Sequence, residues 1–209
     1  METRPILKTK RLILRRFTLD DVADVVRLAG DADVASTTLT IPHPYAAEDA
    51  INWINGHQRN FEEGKVVAFA VTRRPHDFVI GAIGLTINAE HNHAELGYWI
   101  GKPYWSKGYA TEAARRMIPY GFETLGLNRI HAHHFERNPA SGKVMKKAGL
   151  ICEGTLREHI KKWDNYENIV CYGISRGQYL CPLTSAKAAR RVIFCSEEHI
   201  KQKVNVIKT

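Results

Sequence analysis

The segment from Gly101 to Ala113 has the residue types from which proteins build phosphate-binding turns. It reads Gly-Lys-Pro-Tyr-Trp-Ser-Lys-Gly-Tyr-Ala-Thr-Glu-Ala, so a predicted strand ends, a short loop carries Ser106 and Gly108, and a predicted helix begins. A helix N-terminus presents unpaired backbone N–H groups and the positive end of the helix dipole, and both favour a phosphate. Small residues let the backbone approach the anion closely, and Lys107 adds a cation. The segment indicates an anion-binding turn, or else a plain strand-to-helix connection, which also favours Gly and Ser.

Three segments in chain order resemble motifs of the GNAT superfamily of N-acetyltransferases. Trp105-Ser-Lys-Gly-Tyr-Ala-Thr-Glu-Ala is similar to its acetyl-CoA motif, in the form typical of the RimJ/RimL-type branch that acetylates ribosomal-protein N-termini. Ala94-Glu-Leu-Gly-Tyr-Trp-Ile resembles the preceding strand, and the stretch from Asn138 to Leu150 resembles the family's Asn-x-x-Ser segment. Trp105 stands where the core motif usually opens with Gln or Arg, and Leu150 replaces a Phe. The resemblance covers about residues 9–177.

The resemblance implies an α/β fold of the GNAT type, which is a mixed, mostly antiparallel central sheet with flanking helices. Two central strands, here 94–101 and 129–136, would splay apart to hold acetyl-CoA, and no metal is implied. Backbone amides from Ser106 to Thr111 would hold the pyrophosphate, and the Ile100 backbone would pair with the pantetheine arm as an added strand does. The cofactor-binding residues implied in this way are Ile100, Ser106, Lys107, Gly108, Tyr109, Ala110, Thr111, Asn138, Ser141, Lys143 and Lys146.

Acetyl transfer from a thioester to an amine needs a neutral amine and a proton for the leaving thiolate. An α-amine has a pKa of about 8, so a modest base suffices. Glu95 is the candidate base, acting directly or through a water, because it lies on the strand ahead of the phosphate turn and the resemblance points to the same position. The alternative is a solvent-facing carboxylate that alternates with Leu96 and Tyr98. Many family members use a tyrosine as the acid, and Tyr166 and Tyr172 lie near the last strands.

Ser141 is the second candidate catalytic residue, because it could donate a proton or a hydrogen bond to the departing sulfur. Its alternative role is to cap the first turn of a predicted helix over 139–148. Asn138 could hydrogen-bond the pantetheine or cap the same helix. Lys143 and Lys146 could pair with cofactor phosphates, although exposed helix lysines are usually just solvated.

A run of histidines offers a weaker signal. His131 and His133 would share one face of a strand, and His91 and His93 lie upstream. Without a placed third ligand they indicate a metal site only weakly. The four tryptophans suit the core or a cleft wall better than base-stacking platforms, and no nucleic-acid-binding fold motif is present.

Hydrophobic periodicity predicts the elements that position these residues. A helix should begin after Thr18, where Asp20 and Asp21 follow a capping hydroxyl, and the prolines of 36–45 predict a loop. Pro119 should kink its helix. The predicted strands are 10–17, 66–72, 78–87, 94–101, 129–136, 150–160 and 168–175, and the later helices are about 46–62, 108–125 and 139–148.

Composition is typical of a soluble globular protein of 209 residues, with 44% hydrophobic and 25% charged residues. The start of the chain shows no secretory signal, so we expect a cytoplasmic protein with no membrane partner. The cysteines Cys152, Cys171, Cys181 and Cys195 form no Cys-x-x-Cys pair, and free thiols are the simplest interpretation. The net charge of +8 suits an anionic ligand or a nucleic-acid neighbour, and six basic against two acidic residues lie in 182–209.

These observations predict one GNAT domain over 1–181 and a basic C-terminal extension over 182–209. The expected activity is transfer of an acetyl group from acetyl-CoA to a primary amine, foremost a protein or peptide N-terminal amine, by direct attack of the deprotonated amine on the thioester. The alternatives are a small-molecule amine as acceptor, a non-catalytic acyl-CoA-binding module, and a ribosome- or nucleic-acid-associated protein. Nucleic acid is not the expected substrate, and the oligomeric state stays open, a homodimer included.

Overall fold

The computed structural model describes residues 4–181, and its first compact unit ends at Ser175. The strands are β1 Leu7–Lys8, β2 Leu12–Arg15, β3 Val66–Arg73, β4 Val79–Asn88, β5 His93–Ile100, β6 Arg129–Phe135, β7 Ile151–Lys162 and β8 Asn165–Ser175. The helices are α1 Val22–Ala29, α2 Ala32–Ser36, α3 Ala47–Glu62, α4 Tyr109–Pro119, α5 Pro139–Ala148 and α6 Arg176–Leu180.

The strands form one eight-stranded sheet in the order β1-β2-β3-β4-β5-β6-β8-β7. Within the described chain, β5 and β6 pair in parallel and the other neighbours pair antiparallel. The predicted mixed, mostly antiparallel sheet with flanking helices is confirmed. The turn after β3 joins it to β4 in an antiparallel hairpin.

The predicted helix starts are confirmed, but the Thr18 hydroxyl predicted to cap the first helix makes no capping hydrogen bond. The Thr18 backbone N–H donates to Asp21 Oδ2 at 2.8 Å, and a short 3-10 turn leads into α1. Asn138 Oδ1 accepts the Ser141 N–H at the start of α5. A side-chain oxygen that takes an orphan backbone N–H is what starts a helix at such residues.

The regular part of α4 ends at Pro119, where the sequence predicts a kink within a longer helix. A π-helical turn over Tyr120–Thr124 follows it directly, and the Leu125 N–H reaches back to the Tyr120 carbonyl at 3.1 Å. Proline has no N–H for the α-helical ladder, so the chain continues in a wider turn.

Alternating side chains of β5 face the two helical layers. Trp99 packs with Phe17, Val25 and Leu28 in the core cluster beneath α1 and α3. The next residue back, Tyr98, points to the opposite face and hydrogen-bonds α5. Residues two apart on a strand share a face, so Gly97 and Glu95 lie on the α1–α3 side of the sheet.

Three short elements were not predicted, namely β1, α2 and α6. Two to five residues give too little periodicity to recognise, and α2 depends on one local cap, in which Asp31 Oδ1 accepts the Asp33 N–H at 2.9 Å. The second unit begins at Arg176, and of it α6 and Cys181 are described. The extension predicted for 182–209 lies outside the described residues, as does Cys195, and the boundary at 181 stays a prediction. Cys152, Cys171 and Cys181 are free thiols.

Candidate active site

The sheet opens between β5 and β6. These parallel strands pair only where His93–Glu95 meets Arg129–His131, and their later residues have no pairing with each other. The splayed central strands predicted at 94–101 and 129–136 are therefore present. Backbone groups along the unpaired edges are available to an amide-bearing ligand that enters the opening.

The phosphate turn, Ser106–Thr111, lies beside this opening at the start of α4. Ser106 and Gly108 have φ values of 59° and 78°. Such left-handed backbone is accessible to glycine at little cost, and it turns successive N–H groups to one side. The Glu112 N–H already bonds the Gly108 carbonyl, which leaves the earlier N–H groups of the helix without intrahelical partners. The geometry is that of an anion cradle.

A brace from the edge of the sheet holds the phosphate turn. Arg11 Nε lies 2.6 Å from Glu112 Oε2, and Arg11 Nη1 donates to the Lys107 carbonyl at 3.0 Å. The Thr9 hydroxyl donates to Glu112 Oε1 at 2.6 Å. Although burial opposes it, hydrogen bonds from Thr9 and Arg11 lower the pKa of the Glu112 carboxyl. Sequence reasoning missed this brace, because 101 residues separate Arg11 from Glu112.

Glu95 is the last residue of β5 that pairs with β6, where it lies opposite His131, and on its other side it lies opposite Thr86 of β4. Its Oε1 lies 3.2 Å from Nδ1 of His133, and its side chain is 41% exposed. The carboxylate therefore reaches the opening while water still has access to it. Glu95 is thus neither buried nor fully solvent-facing, and its role as a base stays a prediction.

Ser141 forms a pair with Tyr98 across the opposite face of the sheet. The two hydroxyl oxygens lie 2.8 Å apart, and the Tyr98 hydroxyl also lies 3.1 Å from the Ser141 carbonyl. Burial raises the pKa of Tyr98 to about 12, so its hydroxyl stays protonated near neutral pH. Tyr98 was not among the candidate acids. Tyr98 lies two residues before Ile100 on the same strand, and this position was the sequence signal that could have identified it as a candidate acid.

The two tyrosines considered from the sequence lie elsewhere. Tyr166 is 67% exposed at the end of the β7–β8 hairpin. The Tyr172 ring packs against His134 with ring centroids 5.7 Å apart. Neither lines the cavity at the opening between β5 and β6.

The three lysines predicted to bind phosphate differ in whether they line the cavity. Lys143 lines the cavity from α5, whereas Lys146 lies on the exposed side of that helix and outside the cavity wall. The Lys107 side chain does not line the cavity, and its Nζ donates to the Pro103 carbonyl at 2.8 Å. Neither the Lys107 nor the Lys146 side chain lines the cavity, and their phosphate-binding roles stay predictions.

The histidine run forms an array on the α1–α3 face. The His93 and His131 rings have centroids 5.1 Å apart, and burial lowers the pKa of His131. Across residues 4–181, no cluster of three or more His, Cys, Asp or Glu side chains has a metal-binding arrangement. Within the same range, no helix is long and apolar enough to cross a membrane.

Two cations from the β6–β8 half of the sheet hold the segment 36–41. The buried Lys162 Nζ donates to the Leu39 and Ile41 carbonyls at 3.2 and 3.0 Å, and Arg137 Nη2 donates to the Ser36 carbonyl at 2.6 Å. Burial, and the charge of Arg137, lower the pKa of Lys162. These hydrogen bonds tie the segment to that half of the sheet.

One continuous cavity of about 1070 Å³ connects these parts. On one face of the sheet it is lined by α3 and residues 37–41, and on the other by the phosphate turn and α5. Glu95, Tyr98, Ile100, Asn138 and Ser141 all line it. The arrangement can hold a phosphorylated, amide-bearing ligand through the opening and a second molecule on the α3 side.

Comparison with known proteins agrees with this geometry. The family model for the acetyltransferase (GNAT) domain matches residues 11–151. The uncharacterised N-acetyltransferase YoaA of Bacillus subtilis is 34% identical over 157 residues, which are 75% of this chain and 88% of YoaA. A GNAT-family acetyltransferase from Bacillus anthracis has a solved structure with a TM-score of 0.74 and 27% identity, covering 83% of this chain and 99% of its own. The solved complex of RimL, a ribosomal alpha-N-protein acetyltransferase, with coenzyme A has a TM-score of 0.75 at 15% identity, covering 82% and 98%, and shows likeness of fold alone.

Proposed function

Because the chain belongs to the GNAT family of N-acetyltransferases, we propose that it transfers the acetyl group of acetyl-CoA to the N-terminal amine of a protein or peptide. One observation carries the proposal. A single cavity joins the phosphate turn to the Glu95 carboxylate through the opening between β5 and β6. A donor and an acceptor can therefore meet at one point of the sheet.

The chain fits acetyl-CoA in two respects. The left-handed backbone at Ser106 and Gly108 and the free N–H groups of the first turn of α4 suit a pyrophosphate. The edge of β5 that faces the opening suits the amide-rich pantetheine arm, and at Ile100 the carbonyl already accepts the indole N–H of Trp105. When bound, acetyl-CoA supplies the thioester that the amine attacks.

Glu95 takes the proton that the amine loses as its nitrogen bonds to the acetyl carbon. The neighbouring His133 Nδ1, at 3.2 Å, orients the carboxylate toward the opening. Since an α-amine has a pKa of about 8, a carboxylate with access to water is a sufficient base. This assignment deepens the role predicted for Glu95 from its place on the strand.

The Tyr98–Ser141 pair donates the proton that the departing sulfur takes as the C–S bond breaks. Of the two hydroxyls, that of Tyr98 is the stronger acid by chemical type, and burial keeps it protonated. The 2.8 Å contact lets Ser141 relay the proton or fix the Tyr98 ring. The serine acid predicted from the sequence thus becomes one member of a pair.

The test is turnover by the full chain with acetyl-CoA and a panel of amines, read by release of the CoA thiol and by the mass of the product. We expect acetylation of peptide N-termini and a fall in kcat/KM of about 10²-fold for Glu95→Gln. Glu90→Gln is the matched control, because Glu90 is an exposed carboxylate on the β4–β5 turn and outside the cavity wall. Undiminished turnover by Glu95→Gln would show that the base is another group.

A further inference from the structure

A second pocket, with a volume of about 670 Å³, adjoins the phosphate turn. It shares Gly108, Thr111 and Lys147 with the cavity at the opening, and its lining comes from β1, the turn after β1, α4 and the end of α5. We call it the basic pocket, because its charged residues, among those that the structure describes, are five cations and one carboxylate. The carboxylate is Glu112, and the cations are Lys8, Arg11, Arg115, Arg116 and Lys147.

The carboxylate of the basic pocket already has its partners. Glu112 and Arg116 are four residues apart on α4, a spacing at which an acid and a base commonly pair. Both oxygens of Glu112 are taken by other groups, because Oε1 accepts the Thr9 hydroxyl and the Arg11 N–H at 2.6 and 2.8 Å, and Oε2 binds Arg11 Nε at 2.6 Å. Glu112 therefore neutralises Arg11 and leaves the other four cations without a carboxylate in the pocket.

These four cations have no counter-charge in the part of the chain that the structure describes. Within residues 4–181, no ion pair involves Lys8, Arg115, Arg116 or Lys147. Arg115 Nε donates to the Lys147 carbonyl at 2.9 Å, which holds the positive charges of α4 and α5 side by side. Charges of one sign that line a concave site focus the potential there and attract a counter-ion. The basic pocket therefore favours an anion.

The residue types of the lining narrow the class of anion. The guanidinium groups of Arg115 and Arg116 have planar sets of donors that fit the oxygens of a phosphate. A phosphate monoester carries a charge of about −1.5 to −2 at neutral pH and three acceptor oxygens, so cations from separate elements can bind it together. A carboxylate has one charge and two oxygens, and it would leave more of these cations uncompensated. The Thr111 hydroxyl adds a neutral donor to the same lining.

We propose that the basic pocket is a second phosphate site of this protein, separate from the turn that suits a pyrophosphate, and that its ligand is a phosphate monoester. Two molecules can supply this group. One is the donor itself, since a single ribose joins the 3′-phosphate of coenzyme A to its pyrophosphate and the basic pocket adjoins the phosphate turn. The other is a separate phosphate-bearing ligand. The first source rests on the proposed function, and the second does not.

Titration calorimetry with the full chain at low ionic strength tests the site without an acceptor amine. Coenzyme A and 3′-dephospho-coenzyme A are compared first, and inorganic phosphate is then titrated into each complex. Because a pyrophosphate fills the phosphate turn in both complexes, the added phosphate reports on the basic pocket. If the donor supplies the group, coenzyme A should bind at least about tenfold more tightly, and phosphate should bind only to the dephospho-coenzyme A complex. If a separate ligand supplies it, the two coenzymes should bind alike, and phosphate should bind to both complexes.

The variant Arg116→Met removes one cation of the basic pocket and no ion pair of the described chain. The affinity that depends on the pocket, for coenzyme A or for inorganic phosphate, should fall about tenfold. The affinity for 3′-dephospho-coenzyme A should change less than about twofold, which also shows that the variant is folded. Arg157→Met is the matched control, because Arg157 is an exposed arginine of β7 that lines neither pocket.

Each remaining outcome decides a separate point. Equal binding of the two coenzymes, with no binding of phosphate to either complex, would overturn the second phosphate site and leave acetyl transfer intact. Equal losses for both coenzymes in Arg116→Met would also overturn it, since they would place Arg116 at the pyrophosphate. If neither coenzyme binds, the donor half of the proposed function is wrong. Phosphate titrated into the free chain then decides on the basic pocket, which is overturned if Arg116→Met and Arg157→Met bind phosphate alike.

Discussion

The hydroxyl of Tyr98 on β5 lies 2.8 Å from the hydroxyl of Ser141 on α5, so one hydrogen bond ties the splayed strand to the helix beside it. If this pair donates the proton to sulfur, Tyr98→Phe should lower kcat by about 10²-fold and leave the KM for acetyl-CoA nearly unchanged. Ser141→Ala should have a smaller effect. Steady-state kinetics of the two single variants and the double variant measure it.

The double variant is the sharper comparison. Residues that act as one unit are not additive, so Tyr98→Phe with Ser141→Ala should be little worse than Tyr98→Phe alone. Additive losses would mean that the two hydroxyls act independently.

Arg11 should govern the affinity for acetyl-CoA. Arg11→Met removes both the ion pair to Glu112 and the bond to the Lys107 carbonyl, so the phosphate turn loses its brace. We expect the KM for acetyl-CoA to rise about tenfold, since loss of a charge-assisted bond costs about 1.5–3 kcal/mol. The neighbouring Lys10→Met, at an exposed position, is the control. An unchanged KM in Arg11→Met would leave the brace without a role in binding.

Lys162 should govern the acceptor instead. Lys162→Met frees the carbonyls of Leu39 and Ile41 and releases the segment that walls the cavity. We expect a loss of about 2 kcal/mol in the free energy of unfolding and a higher KM for the acceptor, with the KM for acetyl-CoA unchanged. Lys161→Met is the matched control, because Lys161 is the exposed neighbour. If both variants behave alike in urea unfolding and in kinetics, Lys162 does not hold the segment.

His57 should make stability depend on pH. Its pKa is about 4 in the folded chain and 6.5 when unperturbed, so below about pH 6.5 the unfolded chain binds a proton that the folded chain does not. This stability is present above pH 6.5 and is lost as the pH falls toward 4. Between pH 7 and pH 5 the loss should be about 2 kcal/mol, and His57→Gln should abolish that share. Urea unfolding at both pH values tests this, with the exposed His91→Gln as control.

The parts of the fold visible in the sequence are those encoded by neighbours along the chain. Each of these features depends on a few adjacent residues: the helix starts at Thr18 and Asn138, the end of regular helix at Pro119, and the phosphate turn with its Gly108. The same local patterns place Glu95 on a strand ahead of the turn and Ser141 in the first turn of α5. These positions could be predicted.

The parts that could not be predicted depend on contacts between distant segments. The Tyr98 hydroxyl finds its partner 43 residues away, and Lys162 reaches carbonyls 121 and 123 residues away. Nothing in the neighbouring sequence distinguishes Lys162 from an ordinary surface lysine, or Tyr98 from an ordinary core residue of a strand. Their roles follow from the sheet order, which brings β5 beside β6 and carries the β7–β8 hairpin to the segment at 36–41.

The opening between β5 and β6 has a consequence for the order of events in a catalytic cycle. The cavity passes through the sheet, with the phosphate turn on one face and α3 on the other. If donor and acceptor bind on these two faces, as proposed, both can be bound at once, and neither product has to leave before the other. Two substrates arriving from opposite faces form a ternary complex, and initial-rate lines should intersect rather than run parallel.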